Sequence, residues 1–309
     1  MRSFAALTAR LRFAAPWSLA LLLLVAVGAG PVLAREAVAF GDGLLWRVER
    51  PDGEPSHLFG TMHSADPAIT TLPAPVEAVF ERADAVLLEL VMTARTGRDL
   101  RDAMTLARGH DLETLLGADL YARVATVGRR YHLPPRQLQR LKPWVLTMLF
   151  SSPAAELAGG AGRPPLDLTL QQRAERRRVP VHGLERVAEQ AAMFEELGPE
   201  GQVALLEAAL TRNGQVDRMW AQMKRAYLAR DITAIYGLMI EQATGEQAAL
   251  MTLFLDRLLD RRNVRMVERM APHLARGGAF VAVGALHLPG ERGILRLLET
   301  QGYQVTRVY

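Results

Sequence analysis

The stretch Leu58-Phe59-Gly60-Thr61-Met62-His63 reads as the end of an apolar strand that breaks at a glycine and delivers a histidine three residues later. Near the far end of the chain, Val281-Ala282-Val283-Gly284-Ala285-Leu286-His287 repeats the pattern. Glycine lets a backbone turn tightly or approach a neighbour closely as a strand ends. Open α/β sheets bind their ligands outside the carboxyl ends of the strands. Two such units therefore predict one sheet that draws strands from both ends of the chain and presents His63 and His287 at its ligand edge. One Gly-x-x-His alone means little, and its plain alternative is a surface or core histidine. Two copies, each behind an apolar strand, are more specific.

Working outward from the first unit, Leu44-Leu45-Trp46-Arg47-Val48 and Ser56-His57-Leu58-Phe59 flank the turn Asp52-Gly53, which predicts a β-hairpin. Pro75–Ala83 is amphipathic and predicts a helix, and Ala85-Val86-Leu87-Leu88 predicts a buried strand ending at Glu89. Beyond it, apolar residues such as Leu112, Leu115, Leu116 and Leu120 recur at helical spacing. A helix is expected over Asp167–Arg178, feeding the short strand Val179–Gly183, and residues 185–274 read as almost wholly helical. The end returns to strand (Ala279–Gly284), helix (Gly290–Gln301) and strand (Gly302–Tyr309). The expected fold is α/β: a central mixed sheet built from N- and C-terminal strands, with a large, mainly helical insertion at about 95–275.

Composition narrows the chemistry. The chain has 309 residues and no cysteine, which excludes a disulfide framework, a thiolate metal site and a cysteine nucleophile. The formal net charge is +4, but Arg2, Arg10 and Arg12 lie in the first 34 residues, which hold no Asp, Glu or Lys; +4 less those three leaves +1. The other arginines are spread among acids, which is no nucleic-acid footprint. That leading segment, with its Arg-bearing start, an apolar run over Trp17–Ala29 and small residues in Val32-Leu33-Ala34, reads as a secretory signal over residues 1–34. A retained membrane anchor is the alternative. Residues 35–309 would then be one exported, secreted or periplasmic domain. Gly159-Gly160-Ala161-Gly162 is followed by Pro164-Pro165, which is no phosphate-binding loop. Ser64 lacks a nucleophile elbow around it, and the arginines of Arg173–Arg178 read as a solvated helix face.

Glu89 closes its strand in apolar surroundings, where an unpaired carboxylate is costly, so it is paired, metal-bound or turned to solvent. Here the residues resemble the TraB/GumN family, to which the Tiki metalloproteases belong. The resemblance runs from Leu44-Leu45-Trp46 to Gly302-Tyr303. It rests on the two Gly-x-x-His motifs, Asp84–Glu89, Lys142-Pro143-Trp144, Asp167, Gly183-Leu184-Glu185, Glu189-Gln190 and Arg262-Asn263. It implies a catalytic set of His63, His287, Glu89 and Arg262; Glu185 is the leftover carboxylate that could serve as general base. The resemblance implies a hydrolytic site more firmly than a metal. The preferred expectation is metal-assisted hydrolysis of a peptide, amide or ester, in which His63, His287 and Glu89 hold a divalent cation (zinc, manganese or cobalt) and Arg262 meets the developing oxyanion or a substrate carboxylate. Two departures stand out: His182 precedes Gly183, as a third imidazole or a plain strand residue, and Arg261 stands where the family is often acidic. The rival expectations are haem or metal capture without catalysis, with Met219, Met223 and Met239 lining a pocket, and an accessory factor for extracellular signalling or polysaccharide export. The expected partner is a peptide or other small extracytoplasmic substrate, with no nucleic acid and no membrane once the signal is removed.

Overall fold

The computed structural model describes residues 38–157, 163–240 and 255–309. The signal-like segment and the loop 159–162 lie outside the described residues. Six strands, β1 (Leu45–Glu49), β2 (Ser56–Thr61), β3 (Ala85–Leu88), β4 (Val181–Gly183), β5 (Ala279–Gly284) and β6 (Gln304–Arg307), form one sheet in the order β4-β3-β5-β2-β1-β6. The hairpin β1–β2 and the pair β1–β6 are antiparallel, while β2–β5, β5–β3 and β3–β4 are parallel. The sheet is therefore mixed and joins the two ends of the chain. One strand, β4, comes from inside the interval expected to be helical insertion, so that interval also contributes to the sheet's edge.

Alternation of side chains sends each strand's residues to opposite faces. Phe59, Val86, Leu88, Phe280 and Ala282 pack on one face with Leu166, Leu170, Met219, Met223 and Tyr227. Leu58, Leu87, Val281 and Val283 pack on the other with Met266, Val267, Met270, Leu295 and Leu298. A third core lies among the helices, where Trp144 stacks on Phe194 with ring centres 4.9 Å apart. Met219 and Met223 are thus buried core residues; the side chain of Met239 lies outside the described residues.

Several helices are shorter than their periodicity suggests. The helix expected over Pro75–Ala83 spans Ala74–Phe80, and that over Asp167–Arg178 spans Leu166–Arg176. Arg173 pairs with Glu77 and Glu81, so this arginine ties two helices together and is more than a solvated face. The last helix is Ile294–Thr300, because Gly290 takes a left-handed φ of 92° and Gly293 an extended one before it starts. Among the described residues, no helix is long and apolar enough to cross a membrane.

Candidate active site

Parallel pairing sets Gly60 opposite Val283 and Thr61 opposite Gly284, so the two motifs leave the sheet side by side. The first glycine is needed for close approach: a Cβ at Gly60 would stand 3.0 Å from both Ala285 Cα and Leu288 Cδ1. At the second, a Cβ on Gly284 would lie 3.3 Å from Glu89 Oε1, 3.5 Å from His287 Cδ2 and 3.8 Å from His63 Nε2. Three expected site residues therefore surround the Cβ position that Gly284 lacks. Glu89 arrives there because β3 pairs with β5 and ends at Leu88. The ladder between β3 and β4 continues past both strands, with Glu185 N–H donating to Glu89 O at 2.8 Å, which brings Glu185 alongside.

Each imidazole is held from behind. His63 Nδ1 lies 2.5 Å from Asp167 Oδ2, and Thr61 Oγ1 donates to Asp167 Oδ1 at 2.8 Å. Asp167 sits in the first turn of the helix Leu166–Arg176, whose start is fixed by Leu166 N–H donating to Ser64 O. The Tyr227 hydroxyl donates to Gly60 O at 3.0 Å and steadies the same turn. His287 Nδ1 lies 2.7 Å from Asn263 Oδ1, and Asn263 Nδ2 donates to Arg292 O at 2.9 Å. That second bond fixes the amide so that its oxygen accepts from His287, leaving a lone pair on His287 Nε2. His63 Nε2 is buried and has no hydrogen-bond partner among the described residues. His287 Nε2 stands 3.7 Å from Glu89 Oε1.

Behind this ring lies a buried ionic cluster. Arg262 is 1% exposed and Glu185 5%. Arg262 Nη2 donates to Glu89 Oε2 at 2.7 Å and to Glu185 Oε2 at 2.6 Å, its Nε donates to Glu185, and its Nη1 donates to Leu258 O at 3.0 Å. Gln190 Nε2 adds a bond to Glu185 Oε2 at 2.9 Å. All three nitrogens of Arg262 and both oxygens of Glu185 are thereby engaged. That geometry makes Arg262 a buried clamp on Glu89 and Glu185 a clamp on Arg262. It differs from the substrate-facing arginine and the general base expected from the sequence. Arg261 instead reaches outward to Asp256 at 2.8 Å, and Asp260 pairs with Arg292, so neither enters the ring.

Electrostatics follow from these contacts. Burial pushes the Glu89 carboxyl up, but Arg262, His287, His63 and the Gly284 N–H at 2.7 Å outweigh it and hold Glu89 at about 2. Burial, with Arg262 and His63, pushes His287 down to about 3 against the pull of Glu89. Burial also opposes charge on His63, yet Asp167 and Glu89 prevail over it and over Arg262, and His63 is raised. The ring thus holds an ionised carboxylate, a neutral imidazole and a more basic one.

Two imidazole nitrogens and a carboxylate oxygen are the donor types of a divalent-metal site, and outer partners on both Nδ1 atoms orient such ligands. Ligand atoms sharing one tetrahedral zinc stand about 3.4 Å apart, close to the observed His287–Glu89 separation. With His63 Nε2, which has no partner among the described residues, the donor types suit a cation. Among the described residues, however, no group of three or more His, Cys, Asp or Glu is placed so that it could hold a metal ion. His182 is elsewhere: it is exposed, on the edge strand β4. Asp167 and Asn263, which the sequence marks without giving them a role, are the side chains that brace the two histidines.

A mixed α/β sheet whose parallel strands end in two braced histidines and a clamped glutamate defines a His–Glu class of site. The chain belongs to the TraB/PrgY/gumN family, whose sequence profile matches residues 44–307. It is similar to Metalloprotease TIKI2 of Danio rerio, with 26% identity over 316 residues covering 85% of this chain and 60% of that protein. Metalloprotease TIKI1 of Homo sapiens is 25% identical over 313 residues, covering 85% and 61%. Uncharacterized protein YbaP of Escherichia coli (strain K12) is 26% identical over 257 residues, covering 81% and 90%. The chain thus spans 60% to 61% of the length of these two Tiki relatives.

Proposed function

We propose that the protein is an exported hydrolase that cleaves a peptide or other amide or ester bond at the ring formed by His63, His287 and Glu89. The observation that carries this reading is the convergence of a buried His63 Nε2 without a partner among the described residues, the His287 Nε2 lone pair and an ionised Glu89 around Gly284. The similarity to proteins named metalloproteases supports it. His63, His287 and Glu89 would hold a divalent cation, with zinc, manganese and cobalt equally suited to the donors. When bound, such an ion supplies Lewis acidity to a carbonyl and acidifies a water.

The chain's own residues do the rest. Asp167 and Asn263 fix the two rings with Nε2 inward. Arg262 keeps Glu89 ionised and aimed, and Glu185 with Gln190 holds Arg262. Buried groups locked in this way need little reorganisation when charge develops on a substrate. Residues 1–34 would direct the chain out of the cytoplasm, so the substrate is an extracytoplasmic peptide or small molecule. Protein recovered from the periplasm or medium should begin after Ala34, as read by intact mass.

The test is incubation of the purified protein with a peptide library, read by mass spectrometry. Cleavage is expected, lost on chelation and restored by zinc, manganese or cobalt. No cleavage in the presence of any of the three ions overturns the proposal.

A further inference from the structure

His182 and His273 lie outside the ring described above, yet their imidazoles are neighbours, with ring centres 4.5 Å apart and planes at 46°. They come from different elements. His182 is the middle residue of β4, opposite Leu87 in the ladder, and is exposed. His273 is in the last turn of the helix Arg261–Leu274 and is half-buried.

Along that helix Arg262, Met266, Arg269 and His273 recur at helical spacing and share one face. Arg262 bonds Glu185, and Arg269 donates to Leu184 O at 2.8 Å and to Glu189 at 2.7 Å. The face is therefore a seam against the chain that runs on from β4. The histidine pair is its solvent-open end.

We propose that His182 and His273 form a surface transition-metal site that clips β4 to this helix. With metal–nitrogen distances of about 2.1 Å, two imidazoles sharing one ion have ring centres about 4.6–5.3 Å apart, and the observed 4.5 Å lies just below that range. Imidazole ligands suit copper(II), nickel(II) and zinc, with copper favoured by intrinsic affinity. The pair supplies two protein ligands, and water would fill the remaining positions. Burial, His182 and Arg276 hold His273 below its ordinary value, which keeps its lone pair free of a proton near neutral pH.

One contact works against the ion. Arg276 Nη2 lies 2.8 Å from His273 Nδ1. A guanidinium only donates, so Nδ1 accepts and the neutral ring carries its proton on Nε2. An ion must either displace Arg276 from Nδ1 or shift that proton to reach Nε2. Arg276 therefore sets the affinity.

A metal that binds only the folded chain raises its melting temperature. The test uses the full chain with His63→Ala and His287→Ala, so that the central ring contributes no ligand pair, titrated with copper(II) and with zinc. Two signals are read: the melting temperature, and electron-spin-echo modulation from imidazole nitrogens on bound copper. Expected is a dose-dependent rise in melting temperature and modulation from two imidazoles. His182→Asn should abolish the rise and leave at most one imidazole, whereas Arg276→Ala should lower the half-saturating concentration several-fold. No thermal rise with either ion, a rise that persists in His182→Asn, or copper with a single imidazole overturns the proposal. These outcomes are independent of whether the central ring cleaves peptides.

Discussion

At the end of β2, His63 is held by a carboxylate, Asp167, delivered from the helix Leu166–Arg176. At the end of β5, His287 is held by an amide, Asn263, one residue after the buried Arg262. The two motifs share a pattern and a parallel register, but the braces differ in charge. The carboxylate, with Glu89, raises His63 against burial, whereas His287, with no carboxylate brace, is pushed down to about 3 by burial and then by Arg262. A repeated motif has thus become two chemically unequal imidazoles, and the inequality comes from outside the motif.

The largest effect should come from the element common to both halves. Replacing Arg262 with Met leaves Glu89 and Glu185 buried without their cation, at a cost of about 3–5 kcal/mol. Urea unfolding checks it, and a loss below about 1 kcal/mol would mean that the cluster is not buried as described. Next, each brace can be broken singly. Asp167→Ala and Asn263→Ala should each lower metal affinity or turnover by about 10–100-fold, the usual range for an outer partner of a ligating histidine. Should only one of them matter, that half alone would carry the site.

The glycines separate packing from chemistry. Gly60→Ala should cost about 1–3 kcal/mol by overpacking against Ala285 and Leu288, seen in thermal melts. Gly284→Ala should impair turnover more than stability, because its Cβ meets Glu89, His287 and His63.

The smallest effect concerns Glu189, on the seam behind the ring. Its bonds to Arg269, foremost, and to Arg186 outweigh burial and hold its carboxyl at about 2, against 4.5 for the free group. A depressed carboxyl contributes stability that is present above its unfolded value and lost as the pH falls through the folded one. Glu189→Gln should therefore destabilise the protein at neutral pH, with the gap from wild type closing as the pH drops from 4.5 towards 2. Urea midpoints across that range are the measurement. A gap that is constant with pH would remove Glu189 from the account.

Much of the sheet is legible in the sequence because short apolar runs and turn residues are local signals. The continuous apolar runs Val86–Leu88 and Phe280–Val283, and the Asp52-Gly53 turn, place β1, β2, β3 and β5 without help from packing. The two histidines and Glu89 are legible because each stands at the end of such a strand. Their braces are not. Asp167 looks like an ordinary acid in the first turn of a helix, where any carboxylate is favourable, and its partner lies 104 residues away. Asn263 carried a fainter signal, since asparagine is a poor choice for a helix interior and here it is 1% exposed. The roles of Glu185 and Arg262 were hidden for the same reason. That they hold each other depends on a contact spanning 77 residues, which no local pattern reports.

The central claim is that the two motifs form one hydrolytic ring, each contributing an indispensable imidazole. Its most direct test is peptide cleavage by His63→Ala and by His287→Ala separately, each first shown by its melting temperature to be folded. The account predicts that either substitution alone reduces turnover by at least about 100-fold, as expected when residues act as a unit. Full turnover by either folded variant would contradict it.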